Sequence, residues 1–173
     1  MKVEHAAIRA FIDAAVEDQA RARALLDVEP ALLSARWVHG ETVLHVLAVE
    51  GYTQAVRFLA QAGAEIDAVN EFGDTPLLDA AILGNAEVAA VLLEFGANPN
   101  ASSAVRDNVL HAAGGSGSPE VLRVLLEAGA SPHYVTELGE TIWDAIARRP
   151  DDQARMEAVL AARGIARGRP TTG

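Results

Sequence analysis

The sequence predicts an all-α solenoid in which stacked helix-turn-helix units project β-turn or hairpin tips. The first observation is a frame, Gly73-Asp74-Thr75-Pro76-Leu77, whose position recurs every 33 residues, at Gly40, Arg106 and Gly139. The second is a set of Gly-Ala pairs at the same spacing, at residues 63–64, 96–97 and 129–130. The third is that the helices between these marks, roughly 8–10 residues long, are too short to be stable alone in water. Each unit must therefore bury its apolar face on its neighbours.

The period divides residues 1–167 into five units that form one domain, as the chain length of 173 residues also favours. They are an N-terminal capping unit at 1–39, full repeats at 40–72, 73–105 and 106–138, and a C-terminal capping unit at 139–167. Residues 168–173 have no apolar face to anchor them, so a disordered tail is predicted there.

The N-terminal unit fits the period in a degraded form. Ala10-Phe11, Ala14-Ala15 and Leu25-Leu26 occupy the apolar positions of two helices, while many of the remaining side chains are charged. A terminal unit needs such a polar outer side because one of its faces meets water. Pro30 breaks the second helix, and Leu32-Leu33 are expected to pack under the next unit.

The first helix of each full repeat has recognisable start and stop residues. Thr42 and Thr75 place a side-chain oxygen next to the free amides of a helix start, as does Thr141 in the C-terminal unit. Pro76 follows at the first helical position, where its missing N–H is not needed. Gly84 stands where the helix should end, since glycine adopts the left-handed conformation without strain; Gly51 and Gly117 occupy the same position in the neighbouring repeats.

The second helix of the central repeat has an apolar face. Val88, Val91, Leu92 and Phe95 are spaced at i, i+3, i+4 and i+7, which indicates an amphipathic helix. Gly96 follows and is predicted to end it.

The third repeat departs most from this pattern. Arg106 replaces the turn glycine, and Asn108 replaces the capping threonine. The stretch Gly114-Gly115-Ser116-Gly117-Ser118 is expected to end the first helix early, because glycine lowers helix stability by up to about 1 kcal/mol per residue. The C-terminal unit follows, with Trp143 at the leucine position of its first helix.

The central repeat resembles the ankyrin-repeat family. The residues that carry the resemblance are the frame at 73–77, the pair Ala80-Ala81, the run Val-Leu-Leu-Glu-Phe-Gly-Ala at 91–97 and Asn98-Pro99-Asn100. The similarity extends over about residues 7–167. It implies helix-turn-helix units with projecting hairpin-like turns, and a role in protein–protein binding.

The resemblance also assigns a role to two histidines. His45 and His111 match the family's histidine, which is implied to hydrogen-bond backbone between neighbouring units. They lie two repeats apart with Leu78 at the intervening position, so they do not form paired metal ligands. No nucleophile motif or phosphate loop occurs either. We therefore expect no metal site, no cofactor and no catalytic residue.

Composition limits the environment and the partners. The formal net charge is −10, and residues 1–138 carry 19 acids and 8 bases. An acidic body disfavours nucleic acid, which needs clustered Lys and Arg, and favours a basic protein partner. There is no cysteine, no basic start leading into an apolar run and no apolar span of membrane length. We expect a cytoplasmic monomer that does not enter membranes. The high Ala, Arg and Gly content with a single lysine suggests a bacterial gene.

In the family that the sequence resembles, contacts cluster on the turn tips and on the exposed, concave side of the first helices. The tip position after the frame glycine, or its substitute, is acidic in four units, and three tips carry an apolar residue just before it. Trp37 and Phe72 are the expected apolar anchors. The alternative is that the carboxylates are simply solvated and that Phe72 packs on the next tip. The candidate protein-binding residues are Trp37, His39, Glu41, Glu71, Phe72, Asp74, Val105, Asp107, Glu137, Leu138 and Glu140.

Three classes of function are compatible with these observations. The first is a non-enzymatic module that binds a protein partner through the tips and the concave helix face. An inhibitor of this class could neutralise a basic enzyme or toxin, as an immunity protein does. The second is a structural or self-associating module. The third is an enzyme, which no set of residues in this sequence predicts.

Overall fold

The protein is a series of short α-helices joined by tight turns. The computed structural model describes residues 3–105 and 107–167, so Arg106 and the tail predicted at 168–173 lie outside the described residues. The helices are α1 (His5–Glu17), α2 (Gln19–Val28), α3 (Val43–Val49), α4 (Thr53–Gln61), α5 (Pro76–Ile82), α6 (Ala86–Glu94), α7 (Val109–Ser116), α8 (Pro119–Glu127), α9 (Ile142–Ala147) and α10 (Gln153–Ala161). Two 3₁₀ helices span Pro30–Ser34 and Val38–Gly40, and the short strands β1 (Ser102–Ser103) and β2 (Asp107–Asn108) pair antiparallel.

The helices form two layers, which confirms the all-α repeat solenoid. The first helices of successive units pack side by side in the order α1, α3, α5, α7 and α9, and the second helices pack as α4, α6, α8 and α10. Leu44, Leu77 and Leu110 occupy the same position in three units, and each is at most 1% exposed. The core therefore runs continuously along the stack, because each unit buries its leucines on its neighbours.

The predicted helix caps form as hydrogen bonds. The side-chain oxygens of Thr42 and Thr75 accept the backbone N–H three residues later, at 3.4 and 3.3 Å. Asn108 does the same in the third repeat at 2.8 Å, so it replaces threonine as a cap. In the C-terminal unit the cap is completed by Asp144, whose carboxylate accepts from the N–H and the hydroxyl of Thr141, each at 2.8 Å.

Glycines end the helices where the sequence predicted. Gly84 follows α5 with φ +75°, and Gly96 follows α6 with φ +90°. These left-handed conformations favour glycine because a Cβ would clash with the following carbonyl. The chain can thus reverse direction after each short helix.

The prediction that glycines end the third repeat's first helix early is wrong. Helix α7 continues through Gly114 and Gly115 to Ser116, and Gly117, with φ +81°, ends it. A Cβ at Gly114 would lie 2.8 Å from Cδ1 of Ile142 and 3.1 Å from Cβ of Ala145. The glycine at position 114 therefore allows α9 to pack closely against α7.

No helix within residues 3–105 and 107–167 is both long and apolar enough to cross a membrane.

Candidate protein-binding surface

The central hairpin is held by the side chain of Asn70. Its Oδ1 accepts the backbone N–H groups of Phe72 at 2.9 Å and Asp74 at 3.0 Å, and its own N–H donates to the carbonyl of Asp74. Gly73 completes the turn with φ +81°. Asparagine favours such turns because its short side chain can bond to backbone two residues ahead. This geometry presents Glu71 and Phe72 at the end of the hairpin.

The other hairpins use variations of this arrangement. Thr136 replaces Asn70, and its hydroxyl accepts the N–H groups of Leu138 at 3.3 Å and Glu140 at 3.1 Å. In the third repeat β1 and β2 form the hairpin, and Asp107 has φ +60°, although it is not a glycine. In the first hairpin the N–H of Trp37 donates to the carbonyl of Glu41 at 2.6 Å.

Adjacent hairpins also contact each other. The carbonyl of His39 accepts the N–H of Glu71 at 2.9 Å, and the rings of His39 and Phe72 lie 5.5 Å apart. Arg36 donates to the carbonyls of Gly40 at 2.9 Å and Val69 at 2.7 Å. Phe72 thus rests partly on the preceding tip, whereas the alternative interpretation expected it to pack on the next one, and 43% of Phe72 stays exposed.

Five candidate residues lie at the exposed ends of three hairpins. Phe72, Val105 and Leu138 are 43%, 67% and 87% exposed and occupy equivalent positions in successive units. Glu71 and Glu137 precede two of them and are also exposed. We call these five residues the hairpin ladder. The same hairpin position thus carries an exposed apolar side chain in three successive units, which a partner that contacts all three could cover.

The acids that follow the turn glycine, or its substitute, are less exposed than the hairpin ends. The expectation that Asp74 offers an exposed tip carboxylate is wrong, since this residue is only 1% exposed. Its backbone carbonyl accepts from His45, so it belongs to the junction between two units. Glu41, Asp107 and Glu140 are partly buried. The carboxylates available to a partner at the hairpin ends are therefore those of Glu71 and Glu137.

The expected anchor Trp37 is also partly internal. It is half-buried, packs against the core, and its ring centroid lies 5.0 Å from that of His5. Its role in binding stays a prediction, as does that of His39.

The two frame histidines have different surroundings. The role expected for His45 is confirmed, because its Nε2 lies 3.0 Å from the carbonyl of Asp74 in the next unit. The same expectation is wrong at His111. Its Nδ1 lies 3.5 Å from a carboxylate oxygen of Asp107, and its Nε2 lies 3.9 Å from one of Glu140. Burial lowers the pKa of both imidazoles, which disfavours their charged forms.

Sequence reasoning missed some exposed apolar residues outside the helical core positions. Val69 and Val135 are 53% and 38% exposed on the approach to their hairpins, and Leu83 at the end of α5 is 53% exposed. Their residue type could have identified them, because an apolar side chain outside the helical core positions has no neighbouring side chain in the repeat to pack against. Among the described residues, no group of three or more His, Cys, Asp or Glu is placed to hold a metal ion.

The fold and this surface define a helical repeat protein whose units project hairpins with exposed side chains. A family model described as ankyrin repeats (3 copies) matches residues 10–103 and 44–136. The chain therefore belongs to the ankyrin-repeat family, whose repeats are generally protein–protein interaction modules without catalytic activity. Comparison with curated proteins gave no match.

Proposed function

We propose that this protein binds a basic protein partner through the hairpin ladder and the adjoining exposed side of the first helices. The observation that carries the proposal is the row formed by Phe72, Val105 and Leu138, three exposed apolar residues in successive units. Glu71 and Glu137 lie next to this row. Apolar anchors beside charged groups are the usual composition of a binding hot spot and its rim.

The spacing of the ladder supports contact with one continuous partner surface. Packed helices lie about 8–10 Å apart, so three successive units place their tips over roughly 16–20 Å. That span fits easily within a standard interface of about 800 Å² per partner. The hydrogen bonds of Asn70 and Thr136 already order the backbone of their turns, so binding requires little further ordering of that backbone.

The charge of the partner is inferred from the carboxylates of the ladder. No Lys or Arg within residues 3–105 and 107–167 forms an ion pair with Glu71 or Glu137. The side chain of Glu71 approaches that of His39, whose Nδ1 lies 3.8 Å from a carboxylate oxygen. The surrounding body is acidic as well. Lys and Arg of a partner would therefore supply the missing complement and increase the association rate.

The test is a quantitative capture experiment with a matched control. Immobilised wild type and the variant Glu71→Ala/Phe72→Ala/Leu138→Ala would be exposed to the same lysate, and bound proteins measured by mass spectrometry. The control is Asp27→Ala/Val28→Ala, which removes an exposed acidic-apolar pair from α2, where Val28 is 86% exposed. Loss of a hot-spot side chain costs about 2 kcal/mol or more, so capture should fall by roughly 30-fold.

The outcomes separate the binding surfaces. A basic protein that is captured by wild type and the α2 control but lost by the ladder variant supports the proposal. A partner that the ladder variant keeps would contradict it and would place the contact on another surface. Absence of any captured partner would also count against it and would favour a structural or self-associating role, which light scattering at several protein concentrations can measure.

A further inference from the structure

The exposed ends of the first helices carry a graded series of side chains along the stack. Positions spaced by 33 residues place Glu17 at the end of α1, Glu50 after α3, Leu83 after α5, Ser116 at the end of α7 and Arg149 after α9. Both acids, the leucine and the arginine are exposed. The series therefore runs from acidic, through apolar and small, to basic. We call these five positions the graded surface.

The two acids of the graded surface have no partner of opposite charge among the residues that the structure describes. No Lys or Arg of the described chain, residues 3–105 and 107–167, forms an ion pair with Glu17 or Glu50. Glu94, at the end of the second helix α6, is by contrast paired, because it receives two hydrogen bonds from Arg57, at 2.7 and 2.8 Å. The acids of the graded surface are therefore available to a basic ligand.

The position of these acids is also locally unfavourable. Glu17 is the last residue of α1 and Glu50 directly follows α3, where the backbone carbonyls carry partial negative charge. A basic residue would stabilise a helix there, as Arg149 does on the last turn of α7 by donating to the carbonyl of Gly115 at 2.6 Å. Local unfavourable choices of this kind are expected at functional sites.

Apolar residues line the acidic half of the series. Val16 and Val49 directly precede the two acids and are each 37% exposed, and Leu83 is 53% exposed. An apolar side chain of a ligand would bury these surfaces while a neighbouring Lys or Arg reached the carboxylates. Charge attraction alone would not fix the position of such a ligand. Apolar contacts beside the carboxylates would fix it.

We propose that the graded surface binds one linear segment of the protein partner in a single orientation. Basic side chains of the segment lie against Glu17 and Glu50, an apolar side chain covers Leu83, and an acidic side chain approaches Arg149. Four helix-to-helix steps of about 8–10 Å separate Glu17 from Arg149. A span of roughly 32–40 Å corresponds to about 21–27 residues of α-helix. The proposal rests on the proposed function, because it assigns a further part of the same partner.

A displayed library of random peptides of about 28 residues, selected on the immobilised full chain, tests this orientation. Enriched peptides should carry Lys or Arg on one side of an apolar residue and Asp or Glu on the other. Their affinity for Glu17→Gln/Glu50→Gln should fall at least ten-fold, measured by fluorescence polarisation. The control Asp27→Asn/Glu65→Gln changes the net charge equally at exposed positions outside the graded surface and should bind as wild type does.

Each other outcome has a definite meaning. Equal weakening by the control variant would show nonspecific charge attraction and overturn the proposal. Peptides that lose affinity for Glu71→Ala/Phe72→Ala but keep it for Glu17→Gln/Glu50→Gln would overturn the graded surface while supporting the hairpin ladder. Enriched peptides without segregated charge, or no enrichment at all, would also overturn it; the capture experiment decides the proposed function independently.

Discussion

Replacing Gly114 with alanine should destabilise the protein, although alanine favours a helix more than glycine does. A Cβ at this position would lie 2.8 Å from Cδ1 of Ile142 and 3.1 Å from Cβ of Ala145. Carbon atoms in contact prefer about 3.5–4.0 Å, so α9 or its side chains must move. Overpacking of this kind costs about 1–3 kcal/mol, while removing glycine from a helix gains about 1 kcal/mol. The expected net loss is therefore about 1 kcal/mol.

Two further variants test whether the close contact with Ile142 causes this loss of stability. Gly115 lies in the same helix, and nothing lies within 4 Å of the Cβ it would gain, so Gly115→Ala should stabilise the protein by about 0.5–1 kcal/mol. Ile142→Val removes the Cδ1 atom that meets the new methyl group and by itself should cost about 0.5–1.5 kcal/mol. In the Ile142→Val background, Gly114→Ala should become less harmful by about 1 kcal/mol, as contacting residues commonly couple.

Urea unfolding of the four proteins in this cycle, and of Gly115→Ala, gives the free energies directly. If Gly114→Ala stabilises the protein as much as Gly115→Ala does, the close packing of α7 on α9 is not as described. If the effects of Gly114→Ala and Ile142→Val simply add, Cδ1 of Ile142 is not the atom that resists the methyl group.

Two other perturbations test the helix ends and the buried histidines. Gly96→Val should lower the free energy of unfolding, measured in urea, by about 1–2 kcal/mol. The loss would come from backbone strain alone, because φ is +90° and no neighbour lies within 4 Å of a new Cβ. An unchanged midpoint would contradict the assigned helix end. Burial lowers the pKa of His45 and His111 below the ordinary 6.5, so the unfolded chain takes up protons first as pH falls. Their contribution to stability should be complete above pH 6.5 and be lost as pH falls through the folded pKa. Urea unfolding between pH 7.5 and 5 should show this decline, and His45→Gln should reduce it; a stability that rises on acidification would contradict the assignment.

Local features of the fold could be predicted from the sequence because each depends on a few neighbouring residues. The cap at Thr75 and the helix ends at Gly84 and Gly96 follow from the residue types alone. Gly114 could not be interpreted in this way, since its role depends on Ile142, which is distant in sequence. A glycine inside a helix looks like a stop signal unless the packing of the next unit is known.

The candidate site was predicted less well because exposure depends on neighbouring units. The acids after the turn glycine share a sequence position, but Asp74 is buried at a junction and Glu140 turns towards Arg148. His111 differs from His45 because Asp107 and Glu140 approach its ring. The apolar positions at Phe72 and Leu138 were identified correctly as exposed, since hairpin ends have no neighbouring layer to cover them.

The distribution of charge pairs explains why the net charge alone is a poor guide to binding. Three carboxylates on the second helices are paired with arginines: Glu94 with Arg57, Glu120 with Arg155, and Glu127 with Arg123 and Arg163. These acids are occupied, so a partner gains little from approaching them. The acids of the hairpin ladder and of the graded surface have no such arginine within the described part of the chain. If binding followed net charge, neutralising two exposed acids anywhere would weaken it equally. The matched variants proposed above should instead give unequal losses, because the acids of the two proposed surfaces recur in successive units and can contact one partner together, whereas Asp27 lies outside these rows.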